Sequence, residues 1–282
     1  MTSDDGNWRR WMRDYNEGLG LVYERLVLND YLDHLVDEFG VRSVLEVPVY
    51  GMAGVSGINS VRFAQRGIAV TLVDVNEERL AEARRVWREL ALDHLATFVL
   101  LPDPSRLPFG DGQFDLVWNW AALWYLPDAA ATLREMGRMS ASLVFTAMPN
   151  RLQLGYLLRK FVLEREFFET VDERWAAIGR ARGVLAECGL RLVEQGVLDV
   201  PPWPDTVMPA AEVLGRLGLR RTALAERFND AQSWDWSTMD YYTGRRPELK
   251  QQMDRYAFLE RAPLPWRLKV VWAHHRYILM RR

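Results

Sequence analysis

Short apolar runs alternate along this chain with stretches whose apolar residues recur every three or four positions. The runs are 43–49, 69–74, 97–101, 114–119 and 142–147. Each is too short for a helix and is flanked by turn or helix signals, as strands buried on both faces are. Ahead of them, LVYERLVLNDYLDHLVDEF (21–39) carries apolar side chains at helical spacing and halts at Gly40, which predicts an amphipathic helix with a glycine cap. Further helices are predicted at about 57–66, 77–91 and 128–139. Asn76 is placed to cap the second, and glutamates fill its first turn, where the helix dipole favours negative charge. Strand and helix thus alternate from Ser43 to Pro149, which predicts an α/β fold built on a doubly wound, mostly parallel sheet with helices on both faces.

Past Pro149 the pattern loosens. RLQLGYLLRKFVLEREFF reads as a helix, followed by a helix at about 172–188 and a strand from Leu190 to Val200. Residues 201–266 hold seven of the thirteen prolines together with Trp203, Trp234, Trp236 and Trp266, and read as an inserted cap. Lys269 to Met280 is apolar again and is expected to return as an edge strand. The expected organisation is an N-terminal helical lid over 1–40, with Trp8, Trp11 and Tyr15 covering the site. A core follows from 41–200 and 267–282, and a cap from 201–266 with 151–171 contributing.

Composition narrows the function classes. With 282 residues, 49% of them hydrophobic, the chain can bury a full core. A formal net charge of −2 with no basic block argues against a polyanion-binding surface, so no nucleic acid is expected. Cys188 is the sole cysteine, which excludes an internal disulfide and a multi-cysteine metal site and fits a reducing cytoplasm, the expected location. No metal is expected. The N-terminus lacks an apolar signal core, and no run approaches the roughly 18 apolar residues of a spanning helix.

The loop from Glu46 to Asn59 carries Gly51, Gly54 and Gly57, where backbone amides could approach a ligand or merely permit a tight bend. Asp74 closes the second predicted strand, and there a carboxylate can accept both hydroxyls of a ribose or cap the next helix, although Asn76 is better placed as the cap. LLPDPSRLPFGDGQFDLVWNWAALWYLPD then spans Leu100 to Asp128, with Asp103 after a strand, LPF, a polar turn, FDLV and a later LPD opening a helix. With VLEV and TLVD before it, this stretch resembles the class I S-adenosylmethionine-dependent methyltransferases over about 41–150, particularly the branch with the ubiquinone and menaquinone biosynthesis enzymes.

The resemblance implies a Rossmann-like seven-stranded sheet with a helical, aromatic-rich cap, S-adenosylmethionine as methyl donor and S-adenosylhomocysteine as product. Carried over by position, it makes Asp74 the ribose ligand and Asp103 the acceptor for the adenine amino group, with Val75, Pro104 and Ser105 near the nucleoside. Asn119, Trp120 and Ala121 would lie beside the methionine moiety, and Glu46, Gly51, Gly54 and Gly57 would line its loop. That loop departs from the family's E-x-G-x-G-x-G: Pro48 and Tyr50 occupy two glycine positions and the loop runs about five residues longer. A dinucleotide-binding oxidoreductase is the rival reading, but Pro48-Val49-Tyr50 offers no compact glycine turn for a pyrophosphate.

Methyl transfer needs an acceptor held against the methyl in a dry site, with a base helpful for an alcohol or phenol. Of four histidines, His274 and His275 in WAHHRYIL are the base candidates, set against a purely structural pair. Trp124, Tyr125, Trp236 and Tyr241 are candidate acceptor contacts, suited to a small or medium-sized apolar or aromatic molecule methylated on oxygen, with nitrogen and carbon as lesser options. A non-catalytic S-adenosylmethionine-binding protein and a nucleic-acid methyltransferase are the alternatives. The acceptor's identity and the oligomeric state are not written in the sequence.

Overall fold

Seven strands form one sheet in the order β3-β2-β1-β4-β5-β7-β6. They are Ser43–Glu46 (β1), Ala69–Asp74 (β2), Ala96–Leu100 (β3), Phe114–Trp120 (β4), Ser140–Pro149 (β5), Arg191–Leu198 (β6) and His275–Arg281 (β7). The computed structural model describes residues 18–49, 56–203 and 237–282. Gly51, Gly54, Trp236, the aromatic residues proposed as an N-terminal lid and most of the predicted cap lie outside the described residues.

The first five strands pair in parallel, and β7 pairs antiparallel with both β5 and β6. Chain order therefore reverses at β1, which lies between β2 and β4, and this is where the carboxyl ends of a doubly wound sheet open a crevice. The expected edge position of the last strand is corrected: β7 is interior and β6 is the edge. Its sequence accounts for the difference, since Tyr277, Ile278, Leu279 and Met280 are all buried, as a strand covered on both faces requires. Lys269 also falls outside the strand, at the end of the short helix Trp266–Lys269.

Several predicted elements are shorter or broken. The helix foreseen at 57–66 is the five-residue Val61–Gln65 (α2), because Gly57 takes a left-handed φ of 73° and delays helix entry. Helix α3 (Glu77–Glu89) has Asn76 as its cap, whose side chain accepts from the Arg79 amide at 3.0 Å. Asp128 caps α4 (Ala129–Met139) in the same way. The stretch read as one helix after Pro149 divides into α5 (Leu154–Leu158), a π-turn (Arg159–Leu163) and α6 (Arg165–Glu169). Likewise 172–188 begins as a 3-10 turn (Glu173–Ala176) before α7 (Ile178–Glu187).

Two apolar cores sandwich the sheet. One joins α1 (Gly18–Phe39), α2 and α3 to the side chains of Trp118, Trp120, Phe145 and Tyr277; the other joins α4 and α7 to Val117, Val144, Ile278 and Met280. Adjacent residues of β4 point to opposite faces, so Trp118 and Trp120 share the first core while Val117 faces the second. Each fully buried leucine, valine or phenylalanine contributes roughly 1.5–3 kcal/mol relative to exposure, which gives the carboxyl edge a rigid base.

Candidate active site

The carboxyl edge gathers two groups of polar residues. The first surrounds the crevice between β1, β2 and β4. Glu46, at the tip of β1, is fully buried, accepts from Ser60 Oγ at 2.5 Å and from Asn59 Nδ2 at 3.4 Å, and its carboxyl is pushed up to about 7 by burial despite those bonds. Asp74, at the tip of β2, is also buried. Its Oδ1 accepts from the Asn76 amide at 2.8 Å and from Arg79 Nη2 at 2.9 Å, and burial raises its carboxyl against the pull of Arg79. Val75, next in sequence, is half-buried.

Gly57 explains how the loop ahead of α2 packs so tightly. A Cβ there would stand 2.6 Å from Ala83 Cβ of α3, and its carbonyl accepts from Trp87 Nε1 at 2.9 Å. The glycine serves close approach of loop to helix. Asp103 lies beyond β3, exposed, with its carboxyl lowered by hydrogen bonds from the Ser105 hydroxyl and amide; the adjacent Pro104 is buried. Asn119 is engaged inside the sheet: its Oδ1 accepts from Thr146 Oγ1 at 2.6 Å and its Nδ2 donates to the Val47 carbonyl at 3.3 Å. Only its backbone remains to meet a ligand at the strand tip. Ala121, directly after β4, has a positive φ of 53°, which turns the chain sharply beside the crevice.

The second group stands where β4, β6 and β7 end or begin. Because β7 runs antiparallel, its first residue, His275, reaches the same edge as the tips of the parallel strands. Asp199, just past β6, is 1% exposed with φ 63°, and its Oδ2 lies 3.0 Å from His274 Nδ1 and 3.4 Å from His275 Nδ1. Burial would raise this carboxyl, but the two imidazoles, His274 foremost, hold it below the usual carboxylate range. His274 Nε2 faces the Trp203 carbonyl at 3.2 Å. An acceptor thus stands at each ring nitrogen of His274.

His275 stands differently. Its Nδ1 contact to Asp199 falls outside hydrogen-bond geometry, and its ring packs against the Trp120 indole with centroids 4.4 Å apart. Trp120 Nε1 donates to Glu24 Oε1 of α1 at 2.8 Å, and Glu24, Asp199 and His275 bring one donor atom each within 4.8 Å of one another, a set that could also hold a cation. Arg25 then bridges the two groups, with Nη1 bonded to both Glu24 and Asn59. A continuous polar path therefore runs from Glu46 through Asn59, Arg25 and Glu24 to Trp120.

The remaining candidates lie apart from His275. Trp124 is 1% exposed on the opposite core, edge-on to Phe167 of α6 at 5.6 Å, with half-buried Tyr125 beside it. Tyr241 belongs to the short helix Thr238–Tyr242, which attaches to α1 where Tyr242 Oη accepts from Asn29 Nδ2 at 2.6 Å. Sequence reasoning missed Glu24 and Asp199. Asp199 was discernible as an acid ending an apolar run before Pro201, but Glu24 looks like any polar position of an amphipathic helix.

A family model described as a methyltransferase domain matches residues 52–142, the stretch that runs from the loop ahead of α2 into β5. The chain carries a class I S-adenosylmethionine-dependent methyltransferase domain. The methyltransferase domain resembles a chloroplastic tocopherol O-methyltransferase of Arabidopsis thaliana, 31% identical over 105 residues that cover 37% of this chain and 29% of that protein. A demethylmenaquinone methyltransferase of Beutenbergia cavernae is 32% identical over 125 residues, 44% of this chain and 47% of its own. The chain thus spans less than half the length of these curated relatives. Magnesium protoporphyrin IX methyltransferase from Synechocystis PCC 6803, solved with its S-adenosylhomocysteine, shares the fold at a TM-score of 0.55 and 14% identity, over 98% of this chain and 92% of that one. S-adenosylmethionine is the cofactor of such a domain.

The residues present fit that cofactor. Asp74 Oδ2 takes a long 3.4 Å contact from Arg79 Nε, and a carboxylate with about four lone-pair sites retains capacity for a ribose hydroxyl. Asp103 presents an exposed carboxylate one strand away.

Proposed function

We propose that this protein transfers a methyl group from S-adenosylmethionine to an oxygen of a small or medium-sized apolar or aromatic acceptor. The observation that carries the reading is the buried Asp199, His274 and His275 cluster, which stands at the same sheet edge as the donor-side acids Glu46 and Asp74. The bound cofactor supplies an electrophilic methyl on a sulfonium. Asp74 and Asp103 would hold its ribose and adenine, and the backbone around Gly57 and Asn119 its amino-acid end. His275 would take the proton of the acceptor hydroxyl as the oxygen is alkylated, while packing on Trp120 keeps the ring oriented and the Asp199 carboxylate, 3.4 Å from its Nδ1, stabilises the charge it gains. Trp120 would form an apolar wall that keeps water from the reacting oxygen.

Of the cap expected over 201–266 with 151–171 contributing, the described parts, 201–203, 237–266 and 151–171, would cover this site. Trp203 supports that assignment, since its ring packs edge-on to Tyr23 at 5.5 Å and to Tyr256 at 5.2 Å while its carbonyl meets His274. An oxygen acceptor follows from the base, which a more nucleophilic nitrogen or sulfur would not require. Calorimetric titration with S-adenosylhomocysteine, followed by methyl-release assays on phenols, quinols and carboxylic acids, tests the reading. Binding that Asp74→Ala weakens by about 1–3 kcal/mol, with turnover on at least one hydroxyl acceptor, is expected. Cofactor binding with no turnover on any acceptor class would instead describe a binding protein, and absence of binding would overturn both.

A further inference from the structure

Exposed large apolar side chains are few among the described residues and unevenly placed. Twelve stand out among the described residues, and nine of them fall in two segments: Leu152, Leu154, Leu157, Phe161 and Val162 in the first, and Phe258, Leu264, Leu268 and Val271 in the second. Phe161, Leu154 and Leu268 are each more than half exposed. Single exposed leucines need no explanation, but a cluster of this kind marks a surface that meets something.

The two segments are neighbours. Asn150, at the end of β5, accepts from the Leu152 amide with Oδ1 and donates with Nδ2 to the carbonyls of Val270 and Ala273, so one buried side chain ties the start of the first segment to the end of the second. Arg276, at the start of β7, stacks over Trp266 at 5.3 Å, and its guanidinium pKa is lowered by burial and then by the like charge of Arg151, which places the two segments near one another on this side as well. The joined face borders the acceptor cluster directly, since the Asn150 amide donates to the His274 carbonyl at 2.7 Å.

Charge distinguishes the possible occupants. Across 151–162 and 258–271 the bases that reach the surface are Arg151, Lys160, Arg261, Arg267 and Lys269 against one acid, Glu260; Lys160 pairs with Glu173 and Arg261 with Asp254 from outside the two segments, and Arg159 is buried against Glu164. Glu260 does not offset the excess at the surface, because it is turned inward onto the Val200 amide and burial pushes its carboxyl up to about 7. Arg151 and Arg267 are exposed and make no ion pair among the described residues. Beside Leu157 and Phe161 a cleft of about 290 Å³ is lined by Arg151, Lys160 and Arg174, with Glu173 the one acid facing it. Apolar side chains projecting past a ring of basic residues complement an anionic phospholipid surface, where the apolar groups enter the acyl boundary and the bases meet phosphates. No helix of the described residues is long and apolar enough to cross a membrane, so the contact is one of lying on the bilayer.

We propose that the face formed by 151–162 and 258–271 docks this protein on an anionic lipid bilayer, setting the acceptor side of the site against the surface from which an apolar acceptor would enter. The docking stands on surface chemistry alone; only the statement about the acceptor rests on the methyltransferase reading.

Flotation with vesicles of phosphatidylcholine alone, and with phosphatidylglycerol added, measures the docking directly. The full chain is expected to bind the anionic vesicles about tenfold better than the neutral ones, with binding weakened by salt. Phe161→Asp combined with Leu268→Asp should lower binding by about tenfold or more, while Leu192→Asp, an exposed leucine on the β6 edge, should leave it unchanged. S-adenosylhomocysteine affinity and the far-ultraviolet spectrum, recorded for each variant, establish that the fold and donor site are intact. Failure to float with anionic vesicles at low salt, or equal binding by the double variant, overturns the docking even where cofactor binding is normal. A dimer in sedimentation velocity that the double variant dissolves, without any vesicle binding, also overturns it and assigns the face to a second copy of the chain.

Discussion

At the scale of single residues, Asp199 is the side chain with the most consequence. Its left-handed backbone is uncommon for a residue with a Cβ, and it is held there by the His274 amide, which donates to its carbonyl at 2.8 Å, and by two imidazoles at its carboxylate. Asp199→Asn keeps the shape and removes the charge. Turnover should fall by about 10² to 10⁴ while S-adenosylhomocysteine affinity stays unchanged, and His275→Gln should do the same. The decisive readout is the pH profile of the residual rate: the rise that accompanies deprotonation of the base should move in Asp199→Asn and vanish in His275→Gln. Unaltered profiles in both variants would return the histidines to a structural role. His274 and His275 were legible as candidates from the sequence because few histidines compete with them. Their partner was not, because 75 residues separate Asp199 from His274 and only the sheet brings β6 and β7 together.

At the scale of elements, the tip of β1 and the loop leading to α2 carry a buried acid. Glu46 has a folded carboxyl near 7, above its unfolded value of 4.5, so the native state holds more protons between those limits. Its contribution is therefore fully present below about pH 4.5 and is lost as pH rises through 7. Urea unfolding should give a stability that declines from pH 5 to pH 7.5, and Glu46→Gln should remove its share of that decline, about 2–3 kcal/mol at most, leaving the share of Glu260, whose buried carboxyl is also pushed up to about 7. Asp199 acts in the opposite sense, since a lowered carboxyl lends stability above its unfolded pKa that disappears on acidification. The strand and helix sequence of this half was readable because buried parallel strands are continuous apolar runs and because caps such as Asn76 and Asp128 are local signals. Element lengths were not, since a π-turn at Arg159–Leu163 obeys packing around the buried Arg159 and its Glu164 partner at 2.9 Å.

At the scale of the molecule, the position of β7 governs what the sheet can tolerate. As an edge strand it could be removed with modest loss, but it lies between β5 and β6 and pairs along its length with both. Ending the chain after His274 should leave no cooperative thermal transition by circular dichroism, with β6 detached and Phe145 and Val144 uncovered. A residual transition close to that of the full chain would contradict the interior placement. The mostly parallel sheet was legible in the sequence, but this insertion was not, because hydrophobic periodicity specifies burial and says nothing of which neighbours provide it.

The acids assigned to the donor nucleoside lie on β2 and after β3, early in the chain, whereas the imidazoles enter with β7, the latest strand in chain order. Under the proposed function, the groups that would hold the nucleotide and those that would react thus come from opposite ends of the chain, and only the pairing of β7 between β5 and β6 brings them to one edge.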